Sequence, residues 1–540
     1  MLFDLILIAW YSFTKANCLT LNQGKQNMLA RLHSVTLEGI EGIICEVEVD
    51  VARGGLEKSV IVGLPDAAVK ESTERVKSAI VNCGYKYPRT QSVINLAPAD
   101  VKKAGPAFDL PIALGMLIGQ GILVGSPVKD FIIIGELALD GRVRPVNGVL
   151  SMAMTAAANG FSRMLAPLEN AKEAAVVAAL EVYGVGSLAQ AVGFLSGQLP
   201  LETTTVNIEE LFNEASGYEV DFADVKGQES VKRALTVAAA GGHNIMMIGP
   251  PGAGKTMLAQ RLATIMPPLS LEESLQTTRI YSSVGLLGKN QALLATRPVR
   301  MPHHSASGPA LVGGGTVPRP GELSLSHFGI LFLDEFVEFP RHVLEMIRQP
   351  LEDGFVTVSR AKGSIRFPAQ FILVAAMNPC PCGYFGTDSR RCRCTPGQIE
   401  RYLSKISGPL VDRIDIHIDV PAISFSRLRS RSEQLGSAAM RQDVTNARDV
   451  QAKRFGDGNS DRVGMTNSRM SHKQIERFCK LDSASELILK QAMTEFGLSA
   501  RAHDKICKVA RTIADLAGME NIAPEHIAEA ISYRKLDRKL

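Results

Sequence analysis

The stretch Gly249-Pro-Pro-Gly-Ala-Gly-Lys-Thr256 constrains this chain more than any other. An apolar run, Ile245-Met-Met-Ile248, precedes it and reads as a buried strand. Behind it Leu258, Leu262 and Ile265 recur at helical spacing. Strand, glycine-rich turn and helix in that order make a phosphate cradle. Glycines let the backbone wrap closely with its N–H groups turned inward, and the helix N-terminus adds a positive field. Lys255 is placed to reach the β- and γ-phosphates and Thr256 to ligate magnesium. Gly249, Pro250, Pro251, Gly252, Ala253, Gly254, Lys255 and Thr256 are therefore the expected contacts of a nucleoside triphosphate with its Mg²⁺.

A chain of 540 residues exceeds one hydrophobic core, and about two to four domains are expected. The net charge of +4 is too small to point to nucleic acid by itself, so any basic surface must be local. Nine cysteines, scattered apart from one tight group, do not make a disulfide framework. With a nucleotide motif they suit a reducing, cytoplasmic interior. The apolar Leu5-Ile-Leu-Ile-Ala-Trp-Tyr-Ser-Phe13 is short for a membrane span and follows Asp4 rather than a basic region. Residues 1–27 are read as an extension outside the folded protein, with Met28 as its start, and no membrane role is expected.

From 28 to 195 strand-like and helix-like patterns alternate. Strands are expected at 43–49, 92–96 and 131–134, and helices at 71–80 and 150–159, giving an α/β domain of its own. A polar linker covers 196–220, the nucleotide-binding core 221–425 and a connector 426–470. The helical end, 471–540, shows Ile506, Val509, Ala510 and Ile513 on one face, with Pro524 opening a last helix.

A phosphate loop alone leaves kinase, GTPase, transporter and motor open. Ile330-Leu-Phe-Leu-Asp334-Glu335 narrows the choice: an apolar strand ends in one acid suited to the magnesium shell and another suited to polarising the attacking water. A third strand, 371–377, ends at Asn378, whose amide can orient that water or sense the γ-phosphate. Arg413 and Arg501 follow in the order expected of phosphate-contacting arginines.

In that order these residues resemble an AAA+ ATPase of the magnesium-chelatase/MCM-like branch. Arg300-Met-Pro-His-His-Ser-Ala-Ser307, Pro320-Gly-Glu-Leu-Ser-Leu-Ser-His327 and Asn378-Pro-Cys-Pro-Cys-Gly383 resemble the ComM/YifB family more closely, across nearly the whole chain. The resemblance implies a homohexameric, ATP-driven DNA motor for branch migration in natural transformation, with Arg413 an arginine finger acting in trans and Arg501 as sensor 2. It also implies an α/β multidomain fold: a Lon-protease-like domain, a P-loop AAA+ core and a helical lid. Lys103-Ala-Gly-Pro-Ala-Phe108 and Gly135-Glu-Leu-Ala-Leu-Asp-Gly-Arg-Val-Arg-Pro145 carry the Lon likeness, but Ala107 stands at the position of the serine nucleophile and Met152 at that of the lysine base. Neither side chain can do that chemistry, so a scaffold and not a peptidase is expected. The alternatives are a magnesium-chelatase motor subunit and an ATPase that remodels a protein partner.

Two further features bear on partners. Strand alternation on both sides of Ala361-Lys-Gly363 reads as a β-hairpin with Arg360, Lys362 and Arg366 near its tip. The insert 281–327 adds Arg297, Arg300 and Arg319. Together they are expected to grip single-stranded or branched DNA through its phosphates, against the alternative of solvated surface charge. Finally, Cys380, Cys382, Cys392 and Cys394 could surround one zinc, although C-x-C is tighter than the usual ligand spacing; reduced thiols in a loop are the other reading.

Overall fold

Alternating burial shapes the first sheet. In a computed structural model that describes residues 29–52, 54, 56–124, 128–214, 218–288, 291–315, 317–360, 363–386, 391–422, 435–456 and 464–534, the strands Ala30–Glu38 and Glu41–Val51 pair antiparallel. Gly39, at φ 67°, turns the chain between them. The full order is Lys58–Val62, Gln91–Ala97, Glu41–Val51, Ala30–Glu38, Phe131–Ile133, Arg163–Pro167, Glu181–Val185. Neighbouring residues face opposite ways: Ile133 and Leu165 enter one apolar cluster, Ile132 and Met164 the other. The helices Ala67–Asn82, Asp109–Gly119 and Leu188–Leu195 supply the first cluster, and Val149–Ala158 and Ala171–Ala175 the second. The expected strands and helices of this stretch are all present, each within a few residues of its expected ends.

This unit meets the second in sequence at Val206 and Asn207. The second is built on a parallel sheet whose order is Val299–Arg300, Ile330–Leu333, Ile372–Met377, Ile245–Ile248, Ile416–Asp419. Its central strands read ILFL, ILVAAM and IMMI and are buried throughout, as a sheet covered on both faces requires. One core joins them to Glu229–Gly241, Lys255–Ile265 and the C-terminal helices. Ile506, Val509, Ala510 and Ile513 all lie in that core, on the helix Ala500–Leu516, and Pro524 opens the helix Pro524–Ser532.

The connector read at 426–470 contains a 19-residue helix, Ser437–Phe455, that sends Met440, Val444 and Ala447 into the core. Its polar look has a cause: Arg448 and Gln451 point inward and donate to the carbonyls of Ala239 and Ala240 at the end of Glu229–Gly241 (2.8 and 3.0 Å). Residues 1–28 and the hairpin turn at 361–362 lie outside the described residues.

Candidate nucleotide-binding site

The phosphate loop leaves the C-terminal end of the central strand Ile245–Ile248. At Gly249 a Cβ would stand 2.3 Å from the Val420 carbonyl oxygen, so only glycine fits. Gly252 and Gly254 take φ 77° and 85°. Gly254 caps the helix Lys255–Ile265 without a side-chain hydrogen bond, which leaves the first N–H groups facing the loop's hollow. Lys255 curls back so that Nζ donates to the carbonyls of Gly249 (2.8 Å) and Pro250 (3.1 Å) and to Asn378 Oδ1 (3.1 Å). Burial pulls its ammonium below the ordinary lysine value, with Asp334 opposing. Thr256 Oγ1 donates to Asp334 Oδ2 at 2.7 Å. Thus one cleft gathers Lys255, Thr256, Asp334, Glu335 and Asn378 from the ends of three adjacent strands.

The two acids differ. Asp334 is tied down, its Oδ1 also accepting the Glu335 N–H at 2.9 Å. Glu335 sits in the left-handed region (φ 49°, ψ 45°), a conformation that costs a non-glycine residue about 1–2 kcal/mol. Its exposed carboxylate meets His304 Nδ1 at 3.1 Å, and His304 stacks on His303. His304 is a site residue that sequence reasoning missed; the paired histidines were the signal. Gln228 was missed as well: its Nε2 donates to Ala253 O (2.9 Å) and Pro421 O (3.2 Å), fastening the loop to the end of an adjacent strand.

Arg413 and Arg501 do not join this cleft. They line a separate cavity of about 490 Å³ with Asn244, Phe371 and Asp415, residues that precede the strands rather than follow them. Arg413 donates to Pro409 O at 2.7 Å and pairs with Glu352 at 2.8 Å, while Arg501 is exposed. The pair Asp415–Lys505 (2.6 Å), one turn on from Arg501, fixes the two segments together. A four-residue strand alone spans about 13 Å, longer than an arginine side chain, so neither guanidinium reaches its own phosphate loop.

The hairpin forms, with Phe355–Arg360 antiparallel to Gly363–Pro368. Lys362 and the Arg360 side chain lie outside the described residues. Arg366 is not near the tip: the register sets it opposite Thr357, and its guanidinium lies 4.8 Å from the Phe355 ring centroid, at the base. Two of the three expected insert cations are also committed elsewhere. Arg297 is buried, donating to Pro267, Pro268 and Phe328 carbonyls and pairing with Glu273 (2.9 Å). Arg300 forms a two-pronged pair with Glu322 (2.6 and 2.8 Å). Arg319 is exposed.

The four cysteines come together, with every Sγ within 4.8 Å of the others. In the first unit Ala107 and Met152 are both buried in one apolar cluster with Val35, Ile132 and Val149.

Comparison with known proteins follows the same division. The magnesium chelatase subunit ChlI model matches 221–428, that of ChlI of Mg-chelatase matches 47–170, and the ChlI C-terminal model matches 434–534. The chain is 43% identical to competence protein ComM of Haemophilus influenzae, over 95% of this chain and 98% of that protein. To YifB of Escherichia coli it is 40% identical over 95% and 98%. To the magnesium-chelatase 38 kDa subunit of Rhodobacter capsulatus it is 27% identical, over 29% of this chain and 50% of that one. Likeness along almost the whole length, set on an AAA+-type arrangement of strands and phosphate loop, places the chain in the ComM/YifB family of magnesium-chelatase-like AAA+ proteins.

Proposed function

We propose that this protein is an ATPase that assembles as a homohexameric ring and moves DNA strands, a helicase and branch-migration factor for homologous recombination during natural transformation. The observation that carries the reading is the division of the second unit: a phosphate loop with its acids at one edge of the sheet, two arginines at the other. A ring in which one copy's arginine edge abuts the next copy's loop would complete the site, a head-to-tail contact that repeats and closes. The relative named a competence protein supports the DNA context.

In this reading the backbone of residues 249–256 wraps the phosphates, and Lys255 exchanges its carbonyl partners for the β- and γ-oxygens. Thr256 and Asp334, hard oxygen ligands already 2.7 Å apart, suit Mg²⁺, which when bound offsets phosphate charge. Glu335 takes a proton from the water that attacks the γ-phosphorus as the bond to the β-phosphate oxygen breaks, and Asn378 orients that water. Arg413 and Arg501 from the neighbour stabilise the transition-state charge, Arg413 as the finger and Arg501 as sensor 2, the latter carried on a helical lid, 471–540. The first unit acts as a Lon-like scaffold without peptidase activity, since Ala107 and Met152 offer neither nucleophile nor base. Cytoplasmic action is part of the proposal; among the described residues no helix is long and apolar enough to cross a membrane.

The test is ATP hydrolysis and strand displacement on a branched DNA, with wild type against Lys255→Ala and Glu335→Gln. DNA-stimulated hydrolysis and displacement, lost in both variants, are expected. Stimulation by the other magnesium-chelatase subunits and not by DNA would replace this reading with the chelatase-motor one.

A further inference from the structure

The cysteine group lies outside the proposed hydrolysis and has geometry of its own. The Sγ–Sγ distances are 3.4 Å (Cys380–Cys382), 3.6 Å (Cys382–Cys392) and 3.8 Å (Cys380–Cys392). A disulfide requires about 2.05 Å. Four sulfurs around one zinc at a bond length of about 2.3 Å stand about 3.8 Å apart along each tetrahedral edge. The observed spacings match that edge and not the disulfide.

The surroundings suit thiolates. The Cys394 N–H donates to Cys392 Sγ at 3.4 Å. Arg391 and Arg393 add positive charge within the same short stretch. Four sulfurs fill a tetrahedron and leave no position for a reacting ligand, so such a metal is structural. The tight C-x-C spacing that weakens the motif in sequence is compatible with the fold, because the ligands converge from both ends of the loop.

The group is also joined to the nucleotide cleft. Cys380 lies two residues beyond Asn378. Gly383, at φ 84°, packs so closely on the phosphate loop that a Cβ would stand 2.5 Å from Pro251 Cδ. After Cys394 the chain enters the helix Pro396–Leu403 through a Thr395 capping box.

We propose that Cys380, Cys382, Cys392 and Cys394 bind one zinc ion as a closed tetrathiolate, and that this knot braces the phosphate loop through Gly383 and Pro251. The bracing half rests on the nucleotide-site reading above; the metal half does not.

The experiment uses the full chain purified without chelator or added metal. Elemental analysis is expected to find one zinc per chain, absent from Cys392→Ser/Cys394→Ser. Exchange of the wild-type metal for Co²⁺ should give the intense visible bands of a tetrahedral thiolate complex, a readout that does not depend on how the variant folds. Wild type lacking stoichiometric zinc and lacking the cobalt bands, or carrying the four sulfurs as two disulfides, would overturn the metal site. A fluorescent ATP analogue reads the second half: zinc removal, and separately Gly383→Ala with its zinc retained, should weaken binding about tenfold. Unchanged affinity in both would overturn the brace and leave the zinc standing. A wild type that holds zinc but binds no nucleotide would instead refute the nucleotide reading, and the brace with it.

Discussion

The two edges of the parallel sheet in the second unit are built differently. At the C-terminal edge Lys255 donates to Asn378 at 3.1 Å and Thr256 to Asp334 at 2.7 Å, two polar pairs around a backbone hollow. At the N-terminal edge Arg413 and Arg501 open onto a cavity, and what is fixed lies beneath them: Asp415 pairs with Lys505 and faces His243 at 3.4 Å. At the arginine edge Arg501 is exposed, whereas Arg413 is largely covered and held by Glu352 and the Pro409 carbonyl. Strands of four to six residues keep the two edges about 13–20 Å apart. On the proposed reading, a single copy carries both halves of the hydrolytic site in two separate places, and only a neighbour brings them together.

The most forceful way to break this comparison is Arg413→Ala. Hydrolysis should fall by about 10³-fold while nucleotide affinity stays within a few-fold, because the removed group belongs to the opposite edge. Turnover near wild type would mean that the arginine edge takes no part. Next comes the foundation of that edge. Asp415→Asn leaves Lys505 buried without its counter-charge, and a loss of about 3–5 kcal/mol in unfolding free energy is expected from denaturant titration.

Acid sharpens the same point. Burial alone would raise the Asp415 carboxyl, but Lys505 and His243 outweigh it and hold the group well below the usual carboxylate range. A depressed folded value stabilises above the unfolded value of about 3.9 and is lost as pH falls below it. Wild type should therefore lose stability below about pH 4 more steeply than Asp415→Asn; equal slopes would contradict the pairing.

A smaller effect is expected at the loop edge. His304→Ala removes the contact that positions Glu335 and should lower kcat about tenfold with KM unchanged; a rise in KM alone would assign His304 to binding instead. The smallest change is expected at the hairpin. Arg366→Ala should reduce the slope of log affinity for DNA against log salt by about one, whereas an unaltered slope would leave Arg366 only its packing on Phe355.

What could be read in the sequence follows from how local the cause is. The phosphate loop, Asp334-Glu335 and Asn378 were legible because each closes a strand buried on both faces, and such strands appear as unbroken apolar runs. The roles of Arg297 and Arg300 were not, since their partners Glu273 and Glu322 lie 24 and 22 residues away and an arginine looks the same paired or free. The Arg366 misplacement is one of register: Gly363 opposite Arg360 puts Arg366 three pairs from the turn. The His304–Glu335 contact and the inward-facing Arg448 and Gln451 likewise depend on distant elements meeting. The separation of Arg413 and Arg501 from the loop is a property of sheet topology, which no motif states.

The most direct measurement mixes two inactive proteins. Lys255→Ala spoils only the loop edge and Arg413→Ala only the arginine edge. In rings assembled at random from equal amounts of both, about a quarter of the seams join an intact loop to an intact arginine. A site completed between copies predicts that ATP hydrolysis, absent from each variant alone, returns on mixing. A mixture as inactive as its parents, under conditions where co-assembly is demonstrated, would contradict it.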